Sequence, residues 1–448
     1  MRSLAYFLAT AVLCGATPHS PLFAQTADQL IDKQMPSILD TYRQLHAAPE
    51  LSYFEEKSAA YLVKELRAAG FEVTENVGKY PVPKLRSYGF VALLRNGKGP
   101  TVLVRTDLDG LPVEEQTGLP YASKVRMKNE RGDDVPVMQA CGHDIHMSTF
   151  LTTARVLVQL KHRWHGTLMM VGQPAEERGT GAKAMLADGL YERFPRPDYA
   201  LAIHDNAVLP AGTIGWVSGP AMASVDSVDV TIRGAGGHGA YPHATIDPIV
   251  LAAETILLYQ TIVSREISPL DPSVVTVGSI HGGTKHNIIP DEVKLQLTVR
   301  SYKKEVRDHI IGALGRIAAG VAQARGVPQD RMPIVSVEDH ESIPACINDA
   351  KLVDRLVPVF TRALGAANVI HIEPVMGGED FGLFALPGHD IPAFLFNAGA
   401  VEPAMVAAAA KGGPSLPSLH SSRFAPVPEP TIRTGARAMV AAVLDLMP

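Results

Sequence analysis

Apolar positions recur at helical spacing over residues 34–47 and 54–69, and Gly70 ends the second run. Short apolar stretches at 71–75, 88–94, 101–106, 166–172 and 199–203 then read as strands. Helical patterns over 147–160 and around 183–187 fall between them, which predicts a layered α/β domain. From 227 the pattern changes. Val228, Val230 and Ile232 alternate as in a half-buried strand, followed by a helix over 247–264, strands at 274–280 and 293–300, a helix over 304–325 and a strand at 333–337. That order, β-α-β-β-α-β, is the order of a ferredoxin-like unit. The α/β pattern resumes with a helix over 349–364, strands at 369–373 and 393–396, and a helix over 431–446. The predicted division is therefore an α/β domain of residues 25–224 and 340–448 with a small domain, 225–339, inserted into it. Residues 407–410 and the Pro/Ser-rich 412–417 read as loop.

The first 24 residues read as an address. Met1-Arg2 is basic, 4–16 is apolar but too short to span a bilayer, and Pro18 to Ala24 is a polar stretch ending in Leu22-Phe23-Ala24. A signal peptide cleaved after Ala24 is expected, and with it export to the periplasm or the medium. Bulky Leu13 before Cys14 argues against lipid attachment there. No later stretch is long and apolar enough for a membrane helix. At 448 residues, 46% hydrophobic and 19% charged with a net charge of -5, the chain is neither a disordered sequence nor a basic nucleic-acid binder. Its 3 cysteines, two after cleavage, cannot build a disulfide scaffold.

Metal-ligating residue types fall near the ends of predicted strands, where open α/β sheets place their sites. Cys141-Gly142-His143-Asp144 precedes a helix, and in an extended segment Cys141 and His143 would point to the same side. A thiolate and an imidazole suit zinc or a similar ion, and a thiolate can bridge two ions. Alone, the pair is weak evidence, since a buried inert cysteine beside a capping histidine is the commoner case. Strand 166–172 runs into Gln173-Pro174-Ala175-Glu176-Glu177, where one carboxylate can bind metal and the other a water whose proton it takes. Asp107-Leu108-Asp109 and His204-Asp205 end two further strands, and His420 lies near the C-terminus.

These blocks resemble the M20 metallopeptidases, in particular the amidohydrolase branch of hippurate hydrolases, N-acyl-amino-acid amidohydrolases and auxin-conjugate hydrolases. The resemblance rests on Arg105-Thr106-Asp107-Leu108-Asp109-Gly110-Leu111-Pro112, Cys141 to His146, Gln173 to Glu177, Gly236 to His243, Asn287-Ile288-Ile289-Pro290 and Gly378-Glu379-Asp380-Phe381. It implies Cys141, His143, Glu177, His204 and His420 as ligands of two divalent ions (zinc, manganese or cobalt), with Cys141 as the bridge. It implies Glu176 as general base, Asp109 as the carboxylate that orients a ligand, and the inserted domain as a lid and dimerisation domain of a homodimer or higher homo-oligomer. His238 would stabilise the oxyanion, from the partner subunit in such dimers, and Asn287 and Arg300 would hold the substrate's carboxylate. Two positions depart from the branch pattern: Asp205-Asn206-Ala207 after His204, and Ser421-Ser422-Arg423 after His420.

The implied reaction is hydrolysis of the amide of a small N-acyl amino acid by a metal-activated water, with a dipeptidase or carboxypeptidase as the alternative within the family. Nucleic acid and membrane are not among the implied partners. A cysteine hydrolase using Cys141 and His143 leaves the Glu pair unexplained, and a metal protein without turnover has no need of Glu176 beside its ligands.

Overall fold

The computed structural model describes residues 26–338, 340–385 and 390–448; the expected signal peptide lies outside them. An eight-stranded sheet forms the middle layer, its strands in the order Glu72–Glu75, Phe90–Asn96, Gly166–Gln173, Thr101–Asp107, Tyr199–Pro210, Ala393–Val401, Ile214–Trp216, Val369–His371. Thr101–Asp107 runs parallel to both Gly166–Gln173 and Tyr199–Pro210, and Tyr199–Pro210 runs parallel to Ala393–Val401. Alternate residues serve opposite faces, as the strand period of two requires. Ala92, Val102, Val104, Met170, Leu201 and Phe396 pack under the helices Ala27–Ala47, His143–Gln159, Ala350–Leu364 and Pro428–Leu446. Their neighbours Val91, Leu103, Val171, Ala202 and Leu395 pack on the other side, against Gly181–Ala187 and the 3-10 turns of Asp380–Ala385.

The inserted region builds a four-stranded antiparallel sheet in the order Ser273–Gly282, Glu292–Ser301, Ser224–Arg233, Ile334–Val337. Helices Pro248–Thr261 and Lys304–Ala324 join one face of it in a core of Val228, Val230, Ile232, Leu295, Leu297 and Ile310. This is the predicted ferredoxin-like arrangement. The opposite face follows by alternation: Val225 pairs across the ladder with Arg300, and Ser227 with Thr298, away from that core.

Several sequence expectations are corrected. The first helix starts at Ala27, where Thr26 and Gln29 form a capping box, and tolerates Pro36 inside it. The helix expected from 147 begins at His143, so Cys141 and His143 flank a helix start and not an extended segment; Gly142 caps it at φ +72°. The strand expected to end at 203 continues to Pro210. Residues 403–409 are helical where part of that stretch read as loop. Among the described residues no helix is long and apolar enough to cross a membrane.

Candidate active site

The strand Tyr199–Pro210 overruns its neighbour Thr101–Asp107, whose last register pair with it is Arg105 with Ala202. His204 is therefore mid-strand yet level with the end of Thr101–Asp107, where Asp107 also pairs with Gln173. Around this level Cys141, His143, Glu176, Glu177, His204 and His420 converge. The Cys141 Sγ lies 3.6 Å from Nε2 of His204 and 3.3 Å from Nε2 of His420. Nε2 of His143 is 3.8 Å from both Glu176 Oε2 and Glu177 Oε1, and Nε2 of His420 is 3.5 Å from Glu177 Oε2. The donor sets Cys141/His143/His204, Cys141/Glu177/His420 and His143/Glu176/Glu177 each lie within 4.8 Å.

The imidazoles are oriented for ligation. His143 donates Nδ1–H to the carbonyl of Asp109 at 2.7 Å, and His204 donates Nδ1–H to the carbonyl of Asp205 at 2.6 Å. Carbonyls only accept, so both Nε2 lone pairs face the cluster. His143 Nε2 and Glu177 Oε1 are buried and have no hydrogen-bond partner within the protein. Buried orphan donors beside a thiol and adjacent carboxylates fit a borderline divalent cation, and the three overlapping sets fit two. Left to the protein's own charges the cluster is unfavourable. Burial, reinforced by Glu379 and Glu177, pushes the Glu176 carboxyl well above the usual range, and burial pushes Glu177 up to about 7 against the pull of His143. Burial and the same two glutamates likewise raise the Cys141 thiol. Cations relieve all three.

A framework of buried polar groups holds the cluster. Asp109, beneath it, accepts from the amides of Glu176 (3.2 Å) and Glu177 (3.1 Å) and from the Ser52 hydroxyl (2.6 Å). His146 accepts the Asp205 amide on Nε2 at 2.8 Å and so donates from Nδ1 to Asp107 at 2.7 Å. Arg105, fully buried, bonds Asp107 and Glu379 at 2.7 Å each, Asp380 at 3.3 Å and Gln173 at 2.9 Å. A Cβ on Gly142 would come within 2.3 Å of the Asp205 carboxylate, so the cap needs glycine for space as well as for φ. Sequence reasoning gave no role to His146, Arg105, Glu379, Asp380, Ser52 or Glu55. The first four lie inside the quoted motif blocks, but which strand each would meet depends on the sheet order.

A cleft of about 490 Å³ opens over the cluster, walled on one side by Cys141, Glu176, Glu177, His204 and His420 and on the other by Val225, Ser227 and Arg300 of the small sheet. Arg300 is half-buried there and donates to the Met376 carbonyl at 2.9 Å. His238 and Asn287 are not brought to the cluster within the single chain. Both are exposed, His238 pairing with Ile288 in a two-residue ladder and Asn287 accepting from Gly239. A larger cavity, about 810 Å³, lies where Asp226 and Arg307 meet Ile391 and Pro392, and none of the donor cluster lines it.

Buried thiol, imidazole and carboxylate donors at parallel-strand ends, with one carboxylate to spare, define a metallohydrolase centre. Residues 103–419 match the model of peptidase family M20/M25/M40, and the chain belongs to that family. It is 34% identical over 404 residues to thermostable carboxypeptidase 1 of Saccharolobus solfataricus, covering 90% of this chain and 93% of that one. It is 34% identical over 354 residues to N-acetylcysteine deacetylase of Bacillus subtilis, covering 78% and 86%. The crystal structure of Bacillus subtilis YXEP protein, described as a dinuclear metal binding peptidase from the M20 family, superposes with a TM-score of 0.70 at 28% identity, covering 92% of this chain and 98% of that one. The protein is a hydrolase of amide bonds with a metal-binding centre.

Proposed function

We propose that the protein hydrolyses the amide bond of small N-acyl amino acids at two divalent ions held by Cys141, His143, Glu177, His204 and His420. The observation that carries this reading is the placement of Glu176. It points into the donor cluster at 3.8 Å from His143 Nε2, while its neighbour Glu177 faces both His143 and His420. Ions bound by that set, zinc, manganese or cobalt, supply Lewis acidity toward a carbonyl and make a water more acidic. Glu176, made more basic by burial and kept ionised by the neighbouring cations, takes the proton of the attacking water and returns it to the departing amine. Asp109 keeps that carboxylate in place through the two backbone amides. Arg300 faces the cleft with a guanidinium suited to a substrate carboxylate.

The small domain acts as lid and dimerisation surface. Ile249, Val250, Leu257 and Leu258 leave helix Pro248–Thr261 apolar outward, and strand Ser273–Gly282 is an edge of its sheet, features that support a homodimer. In it His238 reaches the partner's centre as an oxyanion donor, and Asn287, beside it, contacts the same substrate. The basic-apolar-polar N-terminus supports export to the periplasm or medium.

A panel of N-acyl amino acids and dipeptides, assayed with apo-protein reloaded with zinc, manganese or cobalt, tests the reading. Turnover confined to N-acyl amino acids is the expected result; turnover of peptides alone would move the assignment to a carboxypeptidase or dipeptidase.

A further inference from the structure

Two residues near the donor cluster adopt left-handed backbone conformations without being glycine: Tyr53 at φ +72° and Ala175 at φ +46°. Such conformations persist for ordinary residues only where the surroundings impose them. Both of their amides donate to one atom, Oε1 of Glu55, at 3.0 Å from Tyr53 and 2.7 Å from Ala175. Glu55 is fully buried, its Oε2 has no partner, and among the described residues its side chain bonds only the amides of Tyr53 and Ala175. Ala175 is the residue at which the chain leaves strand Gly166–Gln173 and turns, so its φ sets the direction of the next two side chains. The amides of those two, Glu176 and Glu177, go to Asp109. Three consecutive amides are thus held by two buried carboxylates, and only the first is in a conformation that costs energy.

We propose that Glu55 is a positioning residue for the catalytic turn: by accepting the amides of Tyr53 and Ala175 it holds Ala175 in the left-handed conformation from which Glu176 and Glu177 reach the donor cluster. What Glu55 supplies is an acceptor at a fixed point. Only Oε1 accepts and Oε2 has no partner, so glutamine, whose carbonyl oxygen can take the place of Oε1, is a close mimic. Glycine adopts positive φ freely, so a glycine at 175 removes the need for the clamp.

The inference rests on the role assigned above to Glu176, and its test separates the two. Glu55→Gln, Glu55→Ala and the double variant Glu55→Ala/Ala175→Gly are assayed at saturating zinc, with zinc affinity measured by chelator competition and folding by melting. Glu55→Gln should keep kcat within about 3-fold of the unmodified protein. Glu55→Ala should lose roughly 10- to 100-fold in kcat with KM changed less than about 3-fold, and roughly 10-fold in zinc affinity through Glu177. Ala175→Gly in that background should restore most of both, which refilling of a mere packing defect would not do. If Glu55→Ala does not fold, Glu55→Asp, which withdraws the oxygen by one methylene, should show the same loss and the same rescue. Native kcat in a folded Ala or Asp variant, or no rescue by glycine at 175, would overturn the inference while leaving the unmodified enzyme active on its substrates. An unmodified enzyme inactive on every N-acyl amino acid would instead overturn the proposed function, and the zinc affinities would still decide for or against Glu55.

Discussion

Replacing Arg105 by methionine should be among the most damaging single changes to this fold, although Arg105 touches no substrate cleft. The guanidinium is buried among Asp107, Glu379 and Asp380, with close contacts of 2.7 Å to the first two and 3.3 Å to the third. One cation serves three carboxylates, so the group is already short of positive charge: burial pushes Asp380 up to about 7 even with Arg105 beside it. Methionine fills a similar volume and leaves Glu379 and Asp380 without their guanidinium, while Asp107 keeps its hydrogen bond from His146. Removing one partner of a buried ion pair costs about 3–5 kcal/mol. For a domain of this size that corresponds to a fall in Tm of roughly 6–10 °C, at about 2 °C per kcal/mol. Arg105→Lys keeps the charge, cannot span four acceptors, and should fall between the two.

Asp380 titrates near 7 in the fold against roughly 3.9 in an unfolded chain, so between those values the folded state binds more protons and its stability falls as pH rises. Without Arg105, which pulls the Asp380 carboxyl down, that carboxyl moves higher still, and the loss extends past neutrality. The Tm difference between Arg105→Met and the native protein should therefore be smaller at pH 5 than at pH 8. Scanning calorimetry of metal-free protein in excess chelator measures it, so that altered metal affinity does not enter. A Tm within about 2 °C of native at pH 8, or a difference equal at pH 5 and pH 8, would refute the account of Arg105 as the counter-ion of this cluster.

Three further outcomes test the site itself. Glu176→Gln should lower kcat at least ~100-fold with metal retained, whereas Glu177→Gln should lower metal affinity; equal metal loss in both would undo the division of roles. Metal analysis of active protein should give close to two divalent ions per chain, and a chelator should abolish amide hydrolysis until metal is returned. His238→Ala should lose roughly 2.7–4 kcal/mol of transition-state stabilisation, and mixed dimers of inactive His238→Ala and Glu176→Gln chains should regain activity if the histidine serves the partner's centre.

The order of elements was legible because each element carries its own period. Val228, Val230 and Ile232 alternate in the sequence and do so in the small sheet, where the βαββαβ order holds through Val337. The candidate cluster was legible through residue types and their places near strand ends, and Cys141, His143, Glu176, Glu177, His204 and His420 do converge. The misreadings share one cause: local pattern carries no knowledge of neighbours. His204 seemed to end a strand because the apolar run stops there, yet pairing with Ala393–Val401 carries the strand on to Pro210. Cys141 and His143 seemed to lie in an extended segment, but Gly142 reverses the chain, a role that a lone glycine does not announce. Arg105 lies far in sequence from the adjacent Glu379 and Asp380 and meets them only because Asp380–Ala385 packs on the face of the sheet opposite the long helices.

Five non-glycine residues among those described have clearly positive φ: Tyr53, Asn76, Ala175, Asp390 and His420. Three of them surround the donor cluster. His420 at φ +64° has its amide on the carbonyl of Ala140, next to Cys141, so the turn that brings in His420 is tied to the turn that carries the thiol. At about 1–3 kcal/mol each, Tyr53, Ala175 and His420 together cost an amount comparable with the net stability of an ordinary domain. The large apolar core under the sheet, from Ile31 to Val443, offsets that cost away from the site. The cluster gains convergence of side chains that straight strands and helices cannot provide, since neighbours such as Glu176 and Glu177 would otherwise diverge. Backbone strain, buried like charges and two orphaned ligand atoms thus occur at one place in the molecule, and divalent cations bound there relieve the last two. If ions bind there, metal affinity and the stability of the turns at Ala175 and His420 are coupled, and glycine at 175 should lower the cost of the first turn.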